Sequence, residues 1–235
     1  MTSSAQSQQG PVEEVDVLVV GGGGAGLAAS MLLAKLGVDH LLVSALPTTS
    51  VLPKAHVLNQ RTMEILEDAG CAAEIERRST PPEHMAATAF YAGLTGSTAD
   101  HGRLIAKLEC WGNGGEDENW RAASAWHQCN LPQIRLEPVM KDHADALSPG
   151  RIRFSHELTA LEQDDEGVTA TVRDLDAGAD YAVRARYVIG ADGGRTVPGL
   201  LGITHVGLGV VTQTATLHVS ADFSALAQDD DVLLR

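Results

Sequence analysis

Four consecutive glycines, Gly21 to Gly24, close the apolar run Val15-Asp16-Val17-Leu18-Val19-Val20 and open the small-residue run Ala25-Gly26-Leu27-Ala28-Ala29-Ser30-Met31. Few chain conformations accommodate a strand that passes through such a turn straight into a helix. Gly21, Gly23 and Gly26 satisfy G-x-G-x-x-G in the context where that spacing has a mechanism: a tight turn, backbone approach to a pyrophosphate, and close helix-to-strand packing. The helix opening at Gly24 and Ala25 presents N–H groups without intrahelical acceptors, together with partial positive charge, and both suit an anion. The helix is expected to run to Leu36 and stop at Gly37, with Val38 to Val43 as a second, parallel strand. The plainer alternative is a glycine-rich turn before an ordinary helix; the fit of strand, turn and helix together favours a dinucleotide. An acid for the adenosine ribose is expected at the C-terminal end of the second strand, but Ser44 stands there, followed by Ala45. Asp39 lies at the wrong end. Ser44 offers one hydroxyl where a carboxylate offers two acceptors, which predicts weakened ribose binding.

At 235 residues the chain can bury a substantial core in one or two domains. A formal net charge of -14 argues against nucleic acid and anionic membrane surfaces as partners. No apolar stretch approaches membrane-spanning length. The polar, small N-terminus reads as a disordered tail over residues 1–13 rather than a signal peptide. Cys71, Cys110 and Cys129 lack metal-ligand spacing and fit reduced thiols, so a cytoplasmic protein without a metal site is expected.

Asn59 is read as the cap of a helix ending at Gly70, with Cys71 to Arg78 as a second helical piece. Short strands are expected around Ala89-Phe90-Tyr91 and Leu104-Ile105-Ala106, and a loop over Trp111 to Asn119. A further helix is expected between Pro132 and Leu147, starting late or kinked because of Pro138. The period then changes: Ile152 to Leu161, Val168 to Val172 and Tyr181 to Ile189 read as an antiparallel meander. Tyr187 to Ala191 is apolar enough to pass under the first sheet and delivers Asp192-Gly193-Gly194-Arg195, a second glycine-rich turn. A plain NAD-dependent dehydrogenase would instead continue with alternating helices and parallel strands.

The segments VVGGGGAGLAASMLLAKLG, KAHVLNQRTMEIL (Lys54 to Leu66), NLPQIRLEPVM (Asn130 to Met140) and YVIGADGGRT (Tyr187 to Thr196) resemble, in this order, the single-component FAD-dependent aromatic hydroxylases. Within them the chain looks closest to the phenol and polyketide hydroxylase group, and the likeness covers residues 14–205. The resemblance implies that Gly21, Gly23 and Gly26 approach the FAD pyrophosphate, that Lys54 contacts phosphate, that Gln133 bonds the ribityl region, and that Asp192 reaches the FAD. Lys54 replaces the family's arginine, keeping the charge without the bidentate fork. Arg61 reads equally as a cofactor or domain contact and as a solvated helix charge. Asp192 also has a plainer reading, as a turn cap. Departures are Ser44 and Ala45 for the family's acid-base pair, and Pro198-Gly199 where an arginine usually closes the second motif. The family's later Gly-Asp-Ala-x-His turn has no counterpart before Arg235, so the 235 residues are expected to represent an N-terminal portion.

The fold class implied is α/β: a Rossmann-like FAD-binding domain over residues 14–205, combining a parallel sheet with an antiparallel meander. Substrate-domain segments fall at 86–110, and a substrate-binding β-sheet domain begins at 206–235. The function implied is hydroxylation of a phenolic or polyketide aromatic substrate with FAD, NADH or NADPH, and oxygen, completed by a longer product or a complementing chain. A second reading is a non-catalytic remnant with weak or no flavin binding. A third, an NAD-dependent oxidoreductase, is disfavoured by the meander. No catalytic residue can be assigned. His56, His127, His143 and His156 are candidate bases, and Trp111, Trp120 and Trp126 candidate pocket walls; packing or surface roles are the better expectation for both sets.

Overall fold

The computed structural model describes residues 12–93, 96–215, 217–224 and 231–234. The tail expected at residues 1–13 lies outside them as far as residue 11, and Glu13 already belongs to the first strand. The chain opens with β1 (Glu13–Val20), α1 (Gly24–Lys35) and β2 (His40–Ser44). Next come β3 (Val57–Leu58), α2 (Gln60–Ala69), α3 (Ala72–Arg78), β4 (Ala87–Tyr91), β5 (Leu104–Glu109), α4 (Glu118–Ala122) and β6 (Cys129–Asn130). The last third holds α5 (Gln133–Leu147), β7 (Ile152–Phe154), β8 (His156–Asp164), β9 (Gly167–Asp174), β10 (Ala179–Gly190), α6 (Val197–Leu200) and β11 (Val232–Leu234). Two compact units share them: residues 1–51 with 134–214, and residues 52–133 with 215–235.

The first unit holds a six-stranded sheet in the order β7-β2-β1-β10-β9-β8. The β7, β2, β1 and β10 pairings are parallel, and those of β10 with β9 and β9 with β8 antiparallel. β1 is buried on both faces, as its near-continuous apolar run requires. One face joins Leu18, Val20, Leu41 and Val43 to Leu158, Ala170, Val172, Val183 and Ala185 of the meander. α1 lies against β1 and β2, with Leu27 and Met31 fully buried, each burial contributing about 1.5–3 kcal/mol. Inside that layer Ser30 Oγ and His40 Nε2 lie 2.7 Å apart, both residues buried, while His40 Nδ1 donates to the Val38 carbonyl. α1 ends as expected, with Gly37 at φ 70°.

Three expectations need correction. Ile152 to Leu161 is two strands: Ser155 takes φ 58°, β7 pairs with β2, and β8 pairs with β9 at the opposite edge. One left-handed residue thus links the two edges, and the sheet rolls until β8 packs over β2. Tyr187 to Gly190 does not pass under the sheet but lies within it, beside β1, where parallel bonding satisfies that strand's second row of backbone groups. α5 starts at Gln133, ahead of Pro138, and continues to Leu147 while forgoing the bond that Pro138 cannot donate to Ile134.

In the second unit α2 begins where Asn59 Oδ1 accepts from Thr62 N (2.8 Å) and ends at Gly70 with φ 93°, as the sequence indicated. Met63, Leu66 and Ala69 form its buried stripe, and Ile75 of α3 is fully buried. β11, β4 and β5 form one sheet, with β11 parallel to β4 and β5 antiparallel. β3 and β6 form a two-stranded pair. The Trp111 to Asn119 segment is not wholly loop, for Asp117 caps α4 by accepting from Asn119 N and Trp120 N. The described residues of 206–224 carry no strand, and Val206 and Leu208 are 97% and 94% exposed.

Candidate functional site

The glycine turn sits where β1, β2 and β10 end together. Gly21 N donates to Val43 O (2.8 Å), and Ala191 N donates to Val20 O (2.7 Å). The five glycines from Gly21 to Gly26 divide into two kinds. Gly21 has φ 116°, and a Cβ there would strike the Ala191 carbonyl; a Cβ on Gly26 would strike the Gly21 carbonyl oxygen. A Cβ on Gly22 would lie 2.7 Å from the Phe154 ring and 2.9 Å from Ser44 Cβ. These three are small because the protein's own chain fills the space. Gly23 and Gly24 are different. Only Glu137 Oε1 comes near a Cβ on Gly23, at 3.8 Å, and nothing lies within 4 Å of one on Gly24. Their outer side is a cradle that side chains would fill. Gly23 is the α1 N-cap without any side-chain cap, and no acid occupies the first turn, so the N–H groups of Gly24, Ala25 and Gly26 await an acceptor.

Ser44 closes β2 beside this turn, but only 4% of it is exposed, flanked by Gly22 and the Phe154 ring. Asp192 follows β10. Its carboxylate accepts from Gly194 N (3.0 Å), Thr196 N and Val197 N (2.8 Å), organising the second glycine turn and the start of α6. Burial opposes ionisation there, but the N–H groups of Val197, Thr196, Gly194 and Arg195 outweigh it and hold the carboxyl below the usual aspartate range. The turn-cap reading of Asp192 therefore describes both its oxygens. Glu137 was not singled out from the sequence. It is 3% exposed, and its Oε2 accepts from Ser50 N (2.7 Å). An acid inside the apolar run Leu136-Glu137-Pro138-Val139-Met140 was the available signal.

Lys54 and Gln133 belong to the second unit. Lys54 takes a left-handed φ of 48°, and Gln133 Oε1 accepts from Ala55 N at 3.2 Å. Nearby, Asn130 Nδ2 donates to Thr80 Oγ1 (2.7 Å), which leaves Asn130 Oδ1 to accept from His56 Nδ1 (2.7 Å). The proton on Nδ1 makes Nε2 the acceptor of the neutral ring. His127 pairs with Glu76 and His156 with Tyr181 and Asp174. Trp120 donates to Gln128 Oε1 (2.6 Å), which ties its indole into packing, and Gln128 in turn donates to the backbone carbonyl of Trp111. Trp126 lines a hollow of about 380 Å³ with Arg121 and His127. Arg61 is 76% exposed and pairs with Glu64, the solvated helix charge. No group of three or more metal-ligating side chains occurs among the described residues. A larger hollow of about 430 Å³ lies among Glu14, Asp16, Asp39, Glu166, Arg184 and Arg186 at the start of β1, the wrong end, since ligands of open α/β sheets bind beyond the carboxyl ends of strands.

Known proteins are similar to this chain over most of its length. The 2,4-dichlorophenol 6-monooxygenase of Delftia acidovorans is 43% identical over 188 residues, 80% of this chain and 31% of that protein. The aklavinone 12-hydroxylase DnrF of Streptomyces peucetius subsp. caesius is 39% identical over 220 residues, 91% of this chain and 42% of that protein. Among solved structures, the flavin-dependent monooxygenase PieE in complex with FAD and substrate aligns with a TM-score of 0.75 and 43% identity, over 82% of this chain and 33% of that one. The substrate-free rebeccamycin biosynthetic enzyme RebC aligns with a TM-score of 0.68 and 29% identity, over 82% and 36%. The chain thus spans less than half the length of these relatives. The family model described as FAD binding domain matches residues 14–234, taking in the glycine turn, the Lys54 and Gln133 segments and the Asp192 turn, and the chain belongs to that FAD-binding-domain family.

Proposed function

We propose that this chain supplies the FAD-binding part of a monooxygenase that hydroxylates a phenolic or polyketide aromatic substrate with NADH or NADPH and oxygen. The observation that carries the reading is the division of the glycines: backbone fills the space beside Gly21 and Gly26, and open space lies beside Gly23 and Gly24. That space fits a diphosphate, which needs backbone donors and tolerates no side chain. The N–H groups of Gly24, Ala25 and Gly26 would hold the phosphates. When bound, the flavin supplies the redox chemistry with oxygen. Within the first unit Asp192 fixes the second turn at the strand ends, and within the second Gln133 fixes the segment around Lys54.

Purified protein titrated with FAD tests this. Uptake giving a yellow flavoprotein is expected, and a preparation that stays colourless at saturating FAD refutes it. One observation favours the second reading, a non-catalytic remnant with weak flavin binding: Ser44 is buried beside Phe154 and places no carboxylate where a ribose is normally held. A complementing chain or further sequence is proposed to supply the remainder, in keeping with the exposed Val206, Leu208, Val210 and Val211. The cytoplasm is the proposed location. The free Cys71, Cys110 and Cys129 support it, and no helix among the described residues is long and apolar enough to cross a membrane.

A further inference from the structure

Glu137 is the charged member of the buried set on α5, which otherwise comprises Leu136, Val139, Met140 and Ala144. Keeping a carboxylate out of water is costly, so its retention calls for a reason beyond packing. Its two oxygens face different neighbours. Oε2 accepts from Ser50 N (2.7 Å), in the loop that follows β2. Oε1 lies 3.8 Å from the point where a Cβ on Gly23 would stand, on the open side of the α1 N-cap. Gly23, Ser50 and Glu137 all belong to the first unit. The cradle beside Gly23 therefore has an acid fixed in its wall, and the bond from the neutral Ser50 N–H holds that charge without cancelling it.

An acid is an unexpected wall for a site that takes an anion, and α1 itself carries none in its first turn. By Coulomb's law, a full negative charge about 4 Å from Oε1 is opposed more strongly than a helix N-terminus attracts it. Charge in excess of what the ligand needs is thus penalised. A diphosphate esterified at both ends, as in FAD, carries less charge than one that ends in a free phosphate, whose second ionisation adds nearly a full unit. We propose that Glu137 is a specificity-determining residue: its buried carboxylate admits a doubly esterified diphosphate and turns away nucleotides that end in a free phosphate. This rests on the FAD reading above and adds discrimination by a repulsive group.

The test compares ADP with its β-methyl ester by calorimetric titration of the full chain at about pH 8, where the free phosphate is fully ionised. The two ligands differ by a methyl group and about one unit of charge. A helix N-terminus alone would prefer the more highly charged ADP. Wild type is expected to bind the ester about tenfold more tightly. Glu137→Gln keeps an oxygen to accept from Ser50 N and loses the charge, so the preference is expected to vanish or reverse. Wild type binding ADP as tightly as the ester, or a tenfold ester preference that survives in Glu137→Gln, overturns the proposal. The wild-type comparison decides by itself if the variant does not fold. A chain that takes up FAD without preferring the ester refutes the role of Glu137 alone. One that takes up neither FAD nor the ester removes the cofactor reading and this inference with it.

Discussion

Gly23→Ser and Gly26→Ala are expected to fail in opposite ways. At Gly26 a methyl group would fall within contact of the Gly21 carbonyl oxygen and 3.5 Å from Ala191 Cβ. Neither the turn nor β10 can yield freely, since Gly21 N is bonded to Val43 O and Ala191 N to Val20 O. α1 must then back away from the sheet, disturbing the fully buried Leu27 and Met31. Overpacking of this kind costs about 2 kcal/mol, which for a chain of this size lowers the melting temperature by roughly 4–8 °C. At Gly23 the backbone is extended (φ -83°, ψ -176°), nothing lies closer than Glu137 Oε1, and serine is a favoured N-cap. The melting temperature without cofactor should therefore move by less than about 2 °C, the scale of a surface change of about 0.5 kcal/mol. Yet the serine side chain occupies the cradle, and FAD affinity should fall at least about tenfold with the loss of one phosphate contact. Differential scanning calorimetry and fluorescence titration of the two variants decide the matter. Equal melting losses, or Gly23→Ser binding FAD like wild type, would refute the assignment of packing to one glycine and ligand approach to the other.

Ser30→Ala leaves the buried His40 Nε2 without its partner and should cost about 1–3 kcal/mol in urea unfolding. Ser44→Glu, which the sequence alone suggests would tighten FAD binding, must place a carboxylate at a position only 4% exposed. It should lower the melting temperature, and an unchanged melt with tighter FAD binding would restore the ribose reading. Asp192→Asn tests the second turn through pH. The Asp192 carboxyl is depressed in the folded state, so its stabilisation is full above the unfolded aspartate value of about 4 and fades as pH falls through the lower folded value. The wild-type advantage over the variant in thermal melts should therefore be present at neutral pH and shrink below about pH 4.

The parts legible in the sequence are those fixed by local chemistry. Asn59 and Gly70 mark the ends of α2 through a side-chain cap and a left-handed residue, and Gly26 is kept small by the Gly21 carbonyl five residues before it. What escaped depended on distant partners. Ile152 to Leu161 reads as one β-rich run, and only the competing neighbours β2 and β9 explain why it breaks at Ser155. Ser44 and Lys54 can be found from their motifs. That Phe154 flanks the first and Gln133 bonds the residue next to the second are contacts across about 110 and about 80 positions of chain respectively, to which local propensity is blind. Glu137 was hidden because an acid on a helix is ordinarily solvated; its burial becomes visible only when Ser50 N is seen to face it.

The placement of β1 has a consequence for how the protein is made. One of its two neighbours, β10, begins about 160 residues later in the chain, a delay of roughly 8–32 s at ordinary rates of synthesis. Until then its apolar edge stands open to nascent neighbours and chaperones, and the nucleotide mouth lacks the Ala191 wall that shapes Gly21. Coenzyme capture is thereby postponed until Ala191 has left the ribosome.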